Sequence, residues 1–445
     1  MPAWNLIAYP LFLIYKNNCQ IMPKPTSDDC LNEPQITVFK KLIEPVDEFV
    51  ANQSDSLPKH HNQKYEYYDF FMLLVYYFTS EAQSLKLLVN GLLNKGLLAN
   101  ELNLQQVPYS TCSDAFERFL PELFQAVFQH LLQNMPFKKI PELVALGTLY
   151  CIDGSLFPVI SSMLWADYTS THKAVKLHLC FELNRMIPVD FLVTAGNFNE
   201  RKALLEMLAK GVTYIADRGY GAFYLFNAIV KAEAHFIIRI KTNLLFGVEK
   251  SLGAKLPASV QYIFREVTDE LIRFTNDKHA NVYRLVRFYI GSEHFYVLTD
   301  RQDLTTFQII ILYAYRWQIE LMFRYLKRTM NGIHIIKNTQ QGVTIQFYMI
   351  LIGATLELRL KQETMDMVSA KNSAAETDTQ IDQITETLVS SMPEENVASS
   401  CQEFIEILGK NVNKYWKIGI HWITALINRL SSPFDEKAIE VLGTT

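Results

Sequence analysis

In the run YAYRWQIELMFRYLKR, Tyr313, Arg316, Glu320 and Lys327 stand at offsets 0, 3, 7 and 14. At about 100° per residue a helix gathers all four into an arc of about 60° on one face. A carboxylate flanked by a guanidinium and an ammonium one or two turns away can hold a metal ion and grip phosphate oxygens together. The same stripe also describes a solvated helix face, in which an exposed Arg and Glu pair adds only about 0.3 to 0.5 kcal/mol. Two aspartates supply further carboxylates: Asp153 closes the run TLYCID before Gly154 and Ser155, and Asp217 closes TYIAD before Arg218, Gly219 and Tyr220. Groups at the carboxyl ends of strands in an α/β sheet face a crevice, although an Asp before Gly is also ordinary turn chemistry. Two carboxylates from strand ends and one from a helix meet the needs of a two-metal phosphoryl-transfer site. Such a site shares oxygen ligands between two Mg²⁺ or Mn²⁺ ions about 3.5 to 4 Å apart, and needs no separate general base.

Other residues carry weaker signals. Trp317 is a candidate for stacking on a base, or for packing in a core. Arg239 and Lys241, after the run HFIIRI, are candidates for backbone phosphates, or form a solvated strand end. His172 and His178 share a strand face in HKAVKLH, but two histidines without a third ligand read as packed or exposed polar residues. No Gly-rich phosphate loop is present, so no nucleotide cofactor is expected.

The elements that must position these groups show in the periodicity. Residues 1–64 are polar and contain Pro23, Pro25, Pro34, Pro45 and Pro58, which predicts a poorly structured leader with one helix near 35–50. Residues 65–145 carry apolar residues at helical spacing, as in FFMLLVYYF and DAFERFLPELFQAVFQHLL, and form a helical N-terminal unit. Beyond 146 the runs TLYCID, KAVKLHLCFEL, VDFLVTA, TYIAD and HFIIRI read as strands, the later ones separated by helices, in the order of an α/β mixed sheet. Residues 244–300 read as an all-β insertion before one long helix over 304–329, on whose far side Ile311, Tyr315, Ile319, Met322 and Leu326 form an apolar stripe. Residues 363–400 hold eight acidic residues against one lysine, the composition of a linker, and 401–445 include a helical run.

With 445 residues, two or three structural units are expected around one larger domain. The net charge of -4 gives no global sign of nucleic-acid binding. Locally, residues 301–362 hold eight basic against three acidic residues, a net of +5 around Glu320. The six cysteines are scattered without a C-x-x-C pair and read as reduced thiols of a cytosolic protein. The apolar start MPAWNLIAYPLFLIYKNN lacks a basic leading region and is too short to span a bilayer, so no membrane partner is expected.

The spacing Tyr313-x2-Arg316-x3-Glu320-x6-Lys327 resembles the YREK signature of bacterial insertion-sequence transposases of the DDE type, and CIDGS and ADRGY resemble their two aspartate motifs. The resemblance covers about 146–360 and extends more weakly through PYSTCSDAFERF, while Met322 stands where an aromatic is common. It implies an RNase H-like catalytic domain interrupted by the β insertion, with Asp153, Asp217 and Glu320 holding two Mg²⁺ or Mn²⁺ ions. It further implies that Tyr313, Arg316 and Lys327 contact DNA near the scissile phosphate; Arg218, Arg239, Lys241 and Trp317 are candidate DNA contacts apart from the resemblance. Cut-and-paste transposition would follow, with the helical N-terminal unit on the terminal inverted repeats, a homodimer in the synaptic complex with target DNA, and a bacterial cytoplasmic location. A metal-dependent nuclease of the same fold and an inactive DNA-binding derivative are the alternatives.

Overall fold

A computed structural model describes residues 33–373, apart from 59–64, 81, 83, 94–96, 258–260, 262–263, 280, 291–292 and 329–333. The C-terminal helical segment and most of the acidic linker expected from the sequence lie outside the described residues.

Nine strands form one sheet in the order β3-β2-β1-β4-β5-β9-β8-β7-β6. The strands are β1 (Thr148–Val159), β2 (Lys173–Glu182), β3 (Ile187–Ala195), β4 (Val212–Ala216), β5 (His235–Arg239), β6 (Phe246–Ser251), β7 (Arg265–Phe274), β8 (Val282–Ile290) and β9 (Glu293–Thr299). β1, β4 and β5 run parallel, and every other pairing is antiparallel. The first five strands form the mixed sheet expected of an RNase H-like domain, in the order β3-β2-β1-β4-β5. The β insertion is not a separate layer: β9 pairs antiparallel with β5, Ile237 opposite Thr299, so the insertion prolongs the same sheet.

Alternation along the strands gives the sheet two apolar faces. On one, Ile152, Cys180, Tyr214, Ala216 and Ile238 pack with α5 (Glu200–Glu206) and α6 (Phe223–Lys231). On the other, Cys151, Leu177, Leu179, Ile215 and Ile237 join a larger core under α7 (Thr306–Tyr315), α8 (Trp317–Arg328) and α9 (Gln340–Ser373).

That larger core also takes in the N-terminal helices, α1 (Glu33–Ser56), α2 (Tyr67–Thr79), α3 (Tyr109–Arg118) and α4 (Pro121–Asn134). Helix α2 is apolar all round and buried on nearly every side, as such a helix must be. Helix α9 lies between the sheet and these helices, touching β3 on one side and α1 to α4 on the other. It is long and apolar enough to cross a membrane by length and composition, with 67% of the window Gln340–Leu360 buried in the fold. The helices expected as a distinct N-terminal unit therefore share one core with the sheet.

Three expectations are corrected. The leader holds more structure than the one helix expected near 35–50: α1 is a 24-residue helix that runs through Pro45. Its apolar face of Phe39, Leu42, Ile43, Val46 and Val50 is buried, and that packing offsets the hydrogen bond that proline removes. The acidic linker does not begin at 363, because α9 continues to Ser373. The long helix over 304–329 is two helices meeting at Arg316, where the backbone tightens to a bond from the Arg316 N–H to the Tyr313 carbonyl.

The start of α7 is fixed from two sides. Thr305 caps it in a reciprocal box with Gln308. Asp269 of β7 and Arg284 of β8 form a buried bidentate pair at 2.6 and 2.8 Å, and the pair also binds the Thr306 hydroxyl and the Leu304 carbonyl. The insertion thus holds the helix pair that carries Glu320.

Candidate active site

Strands β1, β3, β4 and β5 point the same way, so their carboxyl ends share one edge of the sheet. Cys151 stands opposite Ile215 in the β1/β4 ladder, and two residues further on Asp153 and Asp217 come level on neighbouring chains. Asp153 is not the last residue of its strand as expected. β1 continues to Val159 against β2, and it is only the pairing with β4 that stops beforehand. Asp153 lies opposite Leu179, a residue of the core under α7 to α9, and so faces that layer.

Asp217 accepts from the Gly219 N–H at 2.8 Å, capping the turn Arg218–Tyr220. Asp153 accepts from the Gly154 N–H at 2.8 Å. Glu320, on α8, is brought to the aspartates by a guanidinium: Arg316 Nη2 donates to Glu320 Oε1 at 2.6 Å, and Nη1 stands 3.8 Å from Asp153 Oδ2. Beneath them Ile311, Tyr315, Ile319, Met322 and Leu326 are all buried, as the apolar stripe required.

The electrostatics follow from burial and crowding. Burial, against Arg316 and together with Asp217 and Glu320, pushes the Asp153 carboxyl up to about 7. Burial also raises Glu320, with Arg316 pulling the other way. Burial disfavours the Arg316 charge, but Glu320, Tyr313, Asp153 and Asp217 more than compensate and hold it cationic.

The donors fit a hard divalent cation in kind: three carboxylates, two of which, Asp217 and Glu320, help raise the third, Asp153, with one buried positive group set against them. Among the described residues no three His, Cys, Asp or Glu side chains are arranged, as they stand, to hold a metal ion. Arg316 engages Glu320 and reaches toward Asp153, so metal binding requires that guanidinium to give way.

The remaining candidates separate. Tyr313 is buried, with its ring 6.3 Å from that of Phe295, and burial raises its phenol. Lys327 does not join the carboxylates: its ammonium donates to the Leu156 carbonyl at 2.9 Å and lies 4.7 Å from the centre of the Phe157 ring. Arg239 is engaged inside the fold, paired to Glu293 at 2.5 Å and stacked 4.3 Å over Phe295. Arg218 and Lys241 are exposed at the same sheet edge, and Trp317 is half-buried at the start of α8. His178 is buried on Thr194 Oγ1 at 3.0 Å, with burial and Lys176 lowering it to about 4, while His172 is exposed among threonines.

Sequence reading missed Glu200, whose carboxylate reaches this edge from α5. The available signal was Asn199, a helix cap one residue earlier in GNFNER, at the carboxyl end of β3 where the chain must turn back over the sheet.

Comparison with known proteins gives a consistent picture. The family described as "Transposase DDE domain" matches residues 145–356. A Sinorhizobium fredii protein named as a transposase, y4zB, is 25% identical over 49% of this chain and 64% of its own length. A Geobacillus stearothermophilus protein, named as a transposase for insertion sequence element IS5377, is 23% identical over 58% of this chain and 66% of its own. A Synechocystis protein, named for element IS4SA, is 22% identical over 46% and 58%. The chain thus spans just under two thirds of the length of these relatives, or less.

Proposed function

We propose that this chain, whose residues 145–356 match the family described as "Transposase DDE domain", cuts DNA at the ends of a mobile element and joins those ends to target DNA. The observation that carries the reading is the approach of Asp153 and Glu320 around one guanidinium, with Asp217 level with Asp153 on the next strand.

In this reading Asp153, Asp217 and Glu320 are the ligands of two Mg²⁺ or Mn²⁺ ions. Such ions, when bound, lower the barrier at the attacking water or 3′ hydroxyl and at the leaving oxygen. The protein's own part is positioning. β1 and β4 hold the two aspartates level, α8 brings the glutamate to them, and Arg316 keeps the three charges together until it turns to a phosphate oxygen. Tyr313 walls the site from the insertion side. Lys327 steadies β1 three residues beyond Asp153, through the Leu156 carbonyl, and is assigned to a DNA phosphate. Arg218, Lys241, Trp317 and Arg239 lie around the same edge or the start of α8 and are assigned to the DNA path. The helices α1 to α4 are the candidates for recognising terminal inverted repeats, and a homodimer would hold two DNA ends in the synaptic complex.

The test is cleavage and strand transfer on DNA carrying the element's own ends, with Mg²⁺ or Mn²⁺, comparing the parent with Glu320→Ala. Metal-dependent cutting and joining that Glu320→Ala abolishes would support the reading. Cutting without joining would indicate a nuclease instead.

A further inference from the structure

We propose that Glu200, held by Lys176, is a positioning residue that sets the placement of Asp153 and Asp217 from the opposite layer of the sheet, and through them the affinity for a divalent cation. The proposal rests on the reading of those aspartates as metal ligands given above.

Glu200 is the first residue of α5, after the cap at Asn199. Its carboxylate lies across both aspartate-bearing turns at their glycines. A Cβ added at Gly154 would stand 3.3 Å from Glu200 Oε1, and one at Gly219 would stand 3.4 Å from Oε2. Gly154 follows Asp153 directly, and the Gly219 N–H is the group that Asp217 binds. The glycines are therefore where the second layer comes closest to the site.

The brace is itself held. Lys176 of β2 donates to Glu200 Oε1 at 3.2 Å and to the Phe198 carbonyl at 3.3 Å, and its side chain is only 12% exposed. The next residue, Arg201, donates from Nε to the Gly219 carbonyl at 2.7 Å. Gly219 is thus gripped on both sides, its N–H by Asp217 and its carbonyl by Arg201. Tyr220 fills the space behind. Its hydroxyl is fully buried without a hydrogen-bond partner among the described residues, and burial first, then Asp153, Glu200 and Asp217, keep the phenol neutral. A carboxylate so placed touches no reacting group, but moving it moves both turns, and partners behind metal ligands commonly change affinity by about 10- to 100-fold.

The experiment is titration of the full chain with Mn²⁺ alone, followed by electron paramagnetic resonance, for the parent, Asp217→Ala, Glu200→Ala, Glu200→Gln and Lys176→Met. Thermal melting of each variant is recorded alongside. Asp217→Ala should lose the Mn²⁺ site, and Glu200→Ala and Lys176→Met should weaken it by about tenfold or more while remaining folded. Glu200→Gln, which keeps the packing over the glycines, should fall between, and it decides the matter if Glu200→Ala does not fold. A merely structural brace would lower the melting temperature and leave Mn²⁺ affinity unchanged. If Asp217→Ala loses Mn²⁺ while both Glu200 variants bind it as the parent does, the brace is refuted. If Asp217→Ala itself binds Mn²⁺ normally, the metal-ligand reading beneath it falls, and the brace with it.

Discussion

Arg316 and Glu320, one helical turn apart at the junction of α7 and α8, are joined by a bond of 2.6 Å from Nη2 to Oε1, and the same guanidinium reaches toward Asp153 at 3.8 Å. On an exposed helix such a pair would add a few tenths of a kcal/mol. Here the Arg316 side chain is 14% exposed and faces a cluster of carboxylates, so it acts as the cation that makes their burial tolerable.

Removing that cation should therefore be costly. Arg316→Ala is expected to destabilise the metal-free protein by about 3 kcal/mol, since carboxylates would be left buried and uncompensated. Adding Mg²⁺ should restore part of the loss. Thermal unfolding in chelator and in Mg²⁺ measures both, and equal losses in the two conditions would argue against a shared site.

The raised Asp153 carboxyl has a definite sign. With its folded-state value near 7 and its unfolded value near the ordinary carboxylate range, the folded protein binds the extra proton between the two. Stability of the metal-free protein should then be fully supported below about pH 4, fall as pH rises toward 7, and level off above it. Glu320, also raised, acts in the same direction. Asp153→Asn should flatten this dependence in urea titrations across that range. Protons should also compete with metal, so Mg²⁺ affinity should drop as pH falls through 7.

The fold reached from sequence was accurate where period and chemistry agree. The succession of five strands along the chain, the β character of the insertion and the apolar stripe from Ile311 to Leu326 all follow from alternation or helical spacing. Two helices were legible only in part or not at all, for opposite reasons. In α1 a helix near 35–50 was expected, but Pro45 and a polar surface concealed its full extent from Glu33 to Ser56, which tertiary packing stabilises. In α9 the apolar residues from Val343 to Leu356 surround the helix, so no periodicity marks it. At the site the three carboxylates stood out by type and position, but Lys327 could be placed on the Leu156 carbonyl, and Glu200 over two glycines, only once the layers were assembled.

The lock between insertion and helix pair makes a separate prediction. Asp269 and Arg284 side chains are 1% and 6% exposed, so Arg284→Ala should cost about 3 to 5 kcal/mol in urea unfolding. Replacing both partners with apolar residues of similar volume should cost much less than that.

Cys112, Cys151 and Cys180 are free and buried, and burial pushes the Cys112 thiol up to about 12. Alkylation of native protein, read by peptide mass spectrometry, should leave all three unmodified until the chain unfolds. Rapid native labelling of Cys151 would mean that β1 opens beside Asp153.

The most direct measurement is strand transfer by Asp153→Ala, Asp217→Ala and Glu320→Ala, singly and combined, in Mg²⁺ and in Mn²⁺. Side chains that share metal ions act as a unit, so each single variant should lose nearly as much activity as the triple, in both metals. A single variant that keeps parental strand transfer while folded would contradict the assignment of these three carboxylates as one catalytic site.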